Sequence, residues 1–550
     1  MATDTETVGE GFGQVSRTVG TVFRYVLLAA TLVGIVALTV LLVFVANDAI
    51  RPLTADPGWH LTFFLTLVVP TLGVGSYLAV RAPASLWVGG MTVGLAVVSL
   101  LFAGGVAMIF VDIVTPVVWF AYVVAIAVPT ALVVGLHRSS ADPPYLFRLV
   151  VAVAAYYVSL LGFPGPVGGL AGAPQVIPSV ANAVQSIPVL PVDWMLLLVS
   201  FSVLPAAVLA SYARSVAGRR AGLVVGAVAL AVVAGAALAG PAVAITSVPA
   251  VVLASVVVLP TAGYVGGVAA TRPERRVGLL FPGVVVGGAL LGAFVVETVG
   301  FAGPQSWVDW QFLTSAHSRN AVDAGLYPAI GGSILLMVTV ALLSFPLGVG
   351  AAVYLEEYAP DNRLTRFIDV NISNLAGVPS VVYGLLGLGV FVRYLGSPSG
   401  TVLVGGATLA LLILPIVIIS SREAIRSVPE DMRQASYGMG ATRWQTVKNV
   451  VLPRSFPGIL TGTILALGRA IGETAPLIMI GAPDVLFSLP TEFSSKVSAM
   501  PLQVFAWASL YAGPDFYEKA VPAGVVVLVT VLLAMNSIAI VLRNRYQSEQ

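Results

Sequence analysis

The chain has 550 residues, 58% of them hydrophobic and 9% charged, with a mean hydropathy of +0.97. It contains no cysteine, which excludes disulfides and thiolate metal sites, and its histidines, His60, His137 and His317, are too scattered for a ligand set and read as solvated loop-edge residues. A formal net charge of +2 points to no nucleic acid or acidic partner, because the charges sit in short loops whose placement matters more than their sum.

Apolar runs long enough to cross a bilayer recur from residue 23 to residue 542, so an all-α polytopic membrane protein is expected. Only helices or closed barrels satisfy every backbone group in hydrocarbon, and the ~10-residue alternation of a barrel is missing. In chain order the spans are expected near 23–47, 61–80, 85–110, 114–136, 147–165, 193–213, 221–245, 247–270, 277–300, 327–355, 372–396, 400–421, 455–481 and 520–542, about fourteen in all. The first is too long for a signal-peptide core and lacks a small-residue cleavage site, so it reads as a retained span. Arginine and lysine mark alternate connections: Arg17 and Arg24, Arg81, Arg138, Arg214 to Arg220, Arg272 to Arg276, Arg363 and Arg366, the 422–454 loop, then Arg543 and Arg545. The positive-inside rule therefore puts both termini on the cytoplasmic side of the cell membrane, with the Pro- and Gly-rich 164–192 and the long 482–519 outside.

The cluster Arg272-Pro273-Glu274-Arg275-Arg276 ends eight spans of Val-, Ala- and Gly-rich helix, and divides the chain into an extra N-terminal membrane region, 1–276, and a motif-dense region, 277–550. Small residues in the first part suit close helix packing in lipid. Asp112, near a span end, reads as an interfacial residue and not a proton relay. No internal repeat stands out, although the two halves can hide one.

No Gly-rich phosphate loop ending in Gly-Lys-Ser/Thr is present: of the three lysines, Lys448, Lys496 and Lys519, none follows a glycine. If ATP drives this protein, another chain must bind it. The longest charged connection, 421–455, carries strong helix punctuation. Pro429 fits a first helical position, Glu430 and Asp431 complement the first-turn dipole, and Gly440 is a C-terminal stop. Thr442 and Gln445 form a capping box for a second helix running toward Pro453. The apolar side of this hairpin, Met432, Ala435 and Met439, suits a groove on a partner or a position on the membrane surface.

The run Gln434-Ala435-Ser436, three residues, Gly440, nine residues, Val450, one residue, Leu452-Pro453 resembles the EAA loop of ABC-importer permeases, Glu-Ala-Ala, three residues, Gly, nine residues, Ile, one residue, Leu-Pro. Gln434 replaces the usual glutamate, which weakens the case for a specific charged contact there; Ser436 and Val450 replace Ala and Ile. AIGGSILL (329–336), FPLGVGAAVYLEEYAP (345–360), SNLAGVPSVVYGLLGLGVF (373–391) and TGTILALGRAIGETAPL (461–477) further resemble the phosphate-specific PstA permeases, GRAIGETAPL being a signature of that branch. The resemblance covers most of 277–545. It implies a six-helix MetI-like permease core in which the 422–454 loop docks in a cleft of a cytoplasmic ATPase. It implies, as partners, a second PstC-like permease, two PstB-like ATPase subunits carrying ATP and Mg2+, an external PstS-like phosphate-binding protein that docks on loops such as 482–519, inorganic phosphate and membrane lipid. No cofactor is expected on this chain itself. Residues 33–52 also look like a permease first span, which would make the extra helices an insertion after it.

GRAIGETAPL sets Arg469 and Glu473 four residues apart in a membrane segment, where an arginine costs at least about 2.5–3.5 kcal/mol. An intrahelical pair returns only about 0.3–0.5 kcal/mol, and Arg preceding Glu is the less favourable order. Gly468 and Gly472, like Gly458 and Gly462, form a GxxxG step that admits close neighbours, and Pro476 frees a carbonyl and is expected to kink the helix just after Glu473. A guanidinium presents a rigid fork of donors to an oxyanion, and Glu473 can hold that fork when the site is empty. The resemblance carries a transport role to Arg469 and Glu473. Thr474, Ser380 and Ser333 are candidate secondary donors, with packing the competing role. Three alternatives stay open: another oxyanion such as molybdate or sulfate, an ATP-independent transporter or channel, and a scaffold that reports phosphate without carrying it.

Overall fold

The computed structural model describes residues 17–138, 144–163, 177–188, 191–511 and 515–548. Among these the regular secondary structure is helical apart from two single-residue bridges, Phe163 with Ile177 and Thr401 with Lys496. Much of the 164–192 connection, at 164–176 and 189–190, lies outside the described residues. Eleven helices are long and apolar enough to cross a membrane, or twelve if the bent pair Arg363–Ala376 and Ser380–Tyr394 is one span. Two places account for the difference from the expected fourteen. Asp193–Val243 is not one straight span: it turns sharply where Gly218 adopts φ 86°, ψ 177°, a conformation open to glycine alone, and a Cβ on Gly222 would lie 2.8 Å from the Ala210 carbonyl oxygen, so its two arms fold back on each other as the two expected spans. Tyr145–Leu161 has 17 residues, about 25 Å of helix against a hydrocarbon core of about 30 Å.

The first half contains a repeat that residue identities conceal. The helix Pro57–Phe63, the π-turn Phe64–Val68 and the helix Val69–Arg81 have 7, 5 and 13 residues, with Pro70 second in the last. Ser247–Leu253, Ala254–Val258 and Leu259–Thr271 repeat these lengths, with Pro260 in the same place. Both copies end on one residue of similar bridging geometry, Ala82 (φ −153°, ψ 66°) and Arg272 (φ −134°, ψ 67°), before a proline opens the return helix. Thr71 and Thr261, each just after its proline, both keep a buried hydroxyl without a partner. Asp193–Leu197 followed by the π-turn Leu198–Ser202 and Pro205 is a looser copy, and Pro116–Arg138 with Pro129 shares the proline. In the three copies that carry a π-turn, it releases one backbone bond just ahead of the residue that lacks an N–H.

The first and last of these hairpins pack on each other through glycine. A Cβ on Gly278 would lie 2.0 Å from the Ser85 carbonyl oxygen, and one on Gly288 2.3 Å from that of Thr66. The helix Leu280–Val299 thus packs on the helices of 57–107, while Arg17–Ile50 packs on Val521–Ser548. In the second half, Tyr327–Val353 lies along Val402–Arg426, which lies along Leu452–Ala470, which in turn meets Val521–Ser548. Val402–Arg426 is the central helix, with 67% of its apolar window buried against 33% or less for the other spans. Leu336, Val340, Leu409, Ile413, Val417 and Ala466 form the core around it.

Gly278→Ala puts a methyl group into the Ser85 carbonyl and is expected to cost about 1–3 kcal/mol. Thermal unfolding in detergent should show a lowered Tm for this variant and no loss for Gly283→Ala, whose added methyl meets nothing within 4 Å. Equal Tm values would mean that the hairpins do not pack in this way.

Candidate functional site

Two interrupted membrane segments meet in the second half of the chain. The α-helix Leu452–Ala470 stops well inside its apolar run, and two short turns follow, Gly472 N–H to Arg469 O and Glu473 N–H to Ala470 O, both 3.2 Å. The short helix Ala475–Met479 then resumes with Pro476 second, where a missing N–H leaves no bond unmade. The break therefore spans 471–474 and begins before Glu473, earlier than the proline alone suggests. Thr474 is the N-cap residue of the resumed helix, and its hydroxyl makes no capping bond. Opposite it, the chain turns by 107° between Arg363–Ala376 and Ser380–Tyr394. The Tyr383 hydroxyl donates to the Leu375 carbonyl at 2.8 Å and so satisfies backbone across that bend. A Cβ on Gly384 would lie 2.8 Å from Pro476 Cα and 2.7 Å from Met479 Cβ, so the two breaks touch where only glycine fits.

Arg469 sits at this junction, within electrostatic reach of Tyr383. Its Nε donates to Glu473 Oε1 at 3.4 Å, a long bond, and its two terminal amino groups have no partner among the described residues. The arginine side chain is 44% exposed and the glutamate 18%, so the cation is the open partner. Gly458 and Gly462 meet Ala424 and Ser420 within 2.8 Å of a virtual Cβ, as close helix packing requires. Gly468 and Gly472 do not pack in this way: the first meets only Asn536 at 3.6 Å and the second its own Arg469 carbonyl, because the helix has turned away and broken there. Small residues thus leave open space beside the pair. The Ser333 hydroxyl accepts from Met500 N–H at 2.8 Å in a buried position, a packing role, and Ser380 opens its helix without a described side-chain bond.

The 422–454 connection folds as a hairpin. Pro429 is the N-cap of Glu430–Gly438, Gly440 has φ +81°, and Thr442 and Gln445 form the expected capping box. The second arm continues past Pro453 into the membrane helix, because the π-turn Val447–Val451 precedes the proline and leaves it at a permitted second position. Ser436 and Thr446 hydroxyls, 2.8 Å apart, tie the arms together. Gln434 and Ala435 lie exposed on the first arm with Tyr437, Met439 and Trp444 near the tip, while Leu452 and Pro453 lie at the root.

Ion pairs bind this hairpin to the core, and the sequence does not announce them. Glu357 is buried, 4% exposed, with Arg433 Nη2 3.3 Å away, and that nitrogen also donates to the Ile425 carbonyl at 2.8 Å. Next to it Glu356 accepts from Arg422 at 2.5 Å and Arg426 at 2.8 Å, and Arg422 holds Asp369 with two further bonds of 2.7 and 3.2 Å. The pairing partners lie in four different helical segments, so no local pattern reveals them. At the other end of the core, the 482–509 segment is not a loose loop: the helix Met500–Ser509 is largely buried and Gln503 donates to the Gly325 carbonyl at 3.0 Å. His317 is buried there and not solvated; Trp507 Nε1–H donates to its Nδ1 at 3.0 Å, and Phe487, Tyr511 and Phe516 surround it. Burial pushes the His317 imidazole below its ordinary range.

Arg433→Gln leaves the buried Glu357 carboxylate uncompensated and is expected to cost about 3–5 kcal/mol of stability. Adding Glu357→Gln should restore much of the loss in thermal unfolding; a double variant as unstable as the single would show that the pair does not bind the hairpin. His317 is neutral in the fold, so as pH falls through about 6.5 only the unfolded chain takes up its proton and stability drops. His317→Gln should flatten the decline in Tm between pH 7.5 and 5.5.

Residues 344–548 match the family model described as binding-protein-dependent transport system inner membrane component. The probable ABC transporter permease protein YqgI of Bacillus subtilis is 38% identical over 211 residues, 38% of this chain and 70% of that protein. The phosphate transport system permease protein PstA of Yersinia pestis is 34% identical over 224 residues, 40% of this chain and 72% of that one. PstA 1 of Mycobacterium tuberculosis is 35% identical over 181 residues, and there the chain spans less than two thirds of the relative, 59%.

Proposed function

The chain belongs to the ABC-importer permeases of the PstA family, and on that premise we propose that it is the membrane subunit of an ATP-driven phosphate importer. The observation that carries the proposal is the loose, half-open Arg469–Glu473 pair where two broken membrane segments touch. Discontinuous helices in a bilayer are tolerated where they line a cavity, and substrate sites are commonly built there. A guanidinium with free terminal amino groups takes an oxyanion in a forked contact. Glu473, 3.4 Å away, keeps the arginine oriented when the site is empty and weakens retention, so the anion is held long enough to be selected and briefly enough to pass. Thr474 adds an uncommitted hydroxyl to the same break.

The energy comes from a partner. No Gly-Lys-Ser/Thr phosphate loop occurs in this chain, and membership of the ABC-importer permeases supports placing ATP and Mg2+ on two cytoplasmic ATPase subunits. The hairpin carrying Gln434, Ala435, Ser436 and Gly440 is their docking element, and its exposed Met439 and Trp444 are the apolar contacts an ATPase cleft would cover. Closure of the ATPase pair moves the hairpin, and Arg433 with Glu357 passes that movement to the helix Tyr327–Val353. A second homologous permease completes the path, an external phosphate-binding protein delivers the anion near 482–511, and both termini face the cytoplasm.

Arg469→Gln should lower phosphate uptake by at least about tenfold, the loss of a charge-assisted contact, while the complex still assembles. Uptake by reconstituted vesicles tests this, and full uptake in that variant would remove Arg469 from the path. Sulfate or molybdate competing where phosphate does not would reassign the cargo.

A further inference from the structure

The eight helical passes between Pro57 and Val299 have no part in the reading above, yet they enter and leave the core at one place. Asp56 N–H donates to the Ala302 carbonyl at 3.0 Å, and Ala302 N–H returns a bond to Asp56 Oδ2 at 2.7 Å. Gln305 N–H reaches Thr54 Oγ1 at 2.9 Å and Trp307 N–H the Ala49 carbonyl at 2.8 Å. The Trp307 ring lies between Arg51, at 5.4 Å, and Lys519, at 5.0 Å. Residues 57–300 are thus closed at their base like an insertion into the core, which the repeated hairpins and their own glycine contacts support.

Beyond that base, one face of the helix Pro83–Ala107 and its extension Met108–Ile113 reaches the outer end of Tyr327–Val353. Gly105, Met108 and Asp112 meet Ile334, Gly331 and Tyr327 in turn, each set spaced three or four residues apart along its helix. Ile334 Cδ1 lies 3.3 Å from where a Gly105 Cβ would stand, and Met108 Sδ 3.0 Å from that of Gly331. The Tyr327 hydroxyl donates to the Asp112 carboxylate. The same turn is held on its other side, with Gly332 against the Ser498 carbonyl and Ser333 bonded to Met500 N–H. This helix leads directly into Glu356 and Glu357 at its opposite end.

We propose that Asp112 is a positioning residue for transport: through the Tyr327 hydroxyl it pins the outer end of Tyr327–Val353 to the inserted hairpins, so that a pull at Glu357 tilts this helix about a fixed end instead of sliding it. The inference rests on the reading of the chain as an ATP-coupled phosphate permease. An aspartate that merely decorates the membrane interface would need no partner from the core, whereas Asp112 has one on the helix that the coupling hairpin grips.

The test uses the complete complex in proteoliposomes. Tyr327→Phe and Asp112→Ala should each lower the phosphate moved per ATP hydrolysed by about tenfold, within the span of measured couplings between sites, with assembly unchanged. The double variant should be no worse than either single, and Asp112→Asn, whose amide oxygen accepts the same hydroxyl, should keep the wild-type ratio. A ratio unchanged in Tyr327→Phe, or losses that add, would overturn the proposal. Because the chain has no cysteine, Gly105→Cys with Ile334→Cys gives a readout independent of cargo. A short bis-thiol reagent should join them several-fold more slowly once Tyr327→Phe is added, and an unchanged rate would overturn the pinning. If the wild-type complex moves no phosphate, the functional reading fails, and the cross-linking rate still decides whether Asp112 holds the helix.

Discussion

In hydrocarbon a backbone N–H or C=O without a partner costs several kcal/mol, so a membrane chain breaks its helices only where protein or a wet cavity receives the freed groups. This chain breaks two of them side by side. The bend between Ala376 and Ser380 and the gap between Ala470 and Ala475 lie together because Gly384 lets Pro476 and Met479 approach where any side chain would collide. Most of the rest follows from keeping that junction in place. The most buried helix, Val402–Arg426, runs beside both breaks, and the charge that would be prohibitive elsewhere, Arg469, stands at their meeting point.

The two ends of Tyr327–Val353 are held by different chemistry. At the C-terminal end Glu356 and Glu357 gather Arg422, Arg426 and Arg433, charged groups that must move together because separating them strands a buried carboxylate. At the N-terminal end a single hydroxyl-to-carboxylate bond and glycine contacts join the helix to the inserted hairpins and to Met500–Ser509. A helix with a stiff charged grip at one end and a pinned contact at the other transmits tilt readily, which is what the proposed coupling requires.

The hairpin of 429–453 was legible in its punctuation, since Gly440 must turn left-handed and Thr442 with Gln445 must cap, and the Arg469–Glu473 pair was legible because two charges in an apolar run demand a reason. What depends on distance along the chain was not. The ion pairs join residues dozens of positions apart, His317 finds Trp507 only when Met500–Ser509 folds inward, and Gly468 and Gly472 lose their neighbours because the helix ends between them. The hairpin repeat is hidden in the sequence for another reason. It is preserved as segment lengths and a proline position, with Val, Leu, Ala and Gly exchanging freely around them, since lipid-facing surface constrains residue size and polarity but not identity.

The central claim is that ATP, through a partner, drives phosphate past Arg469. Its most direct measurement is accumulation of radiolabelled phosphate in proteoliposomes holding the complete complex and its external binding protein, with ATP supplied on the hairpin side and ion gradients collapsed. The account predicts accumulation that stops when ATP is replaced by a non-hydrolysable analogue. Accumulation driven by an ion gradient without ATP, or none with ATP present, would contradict it.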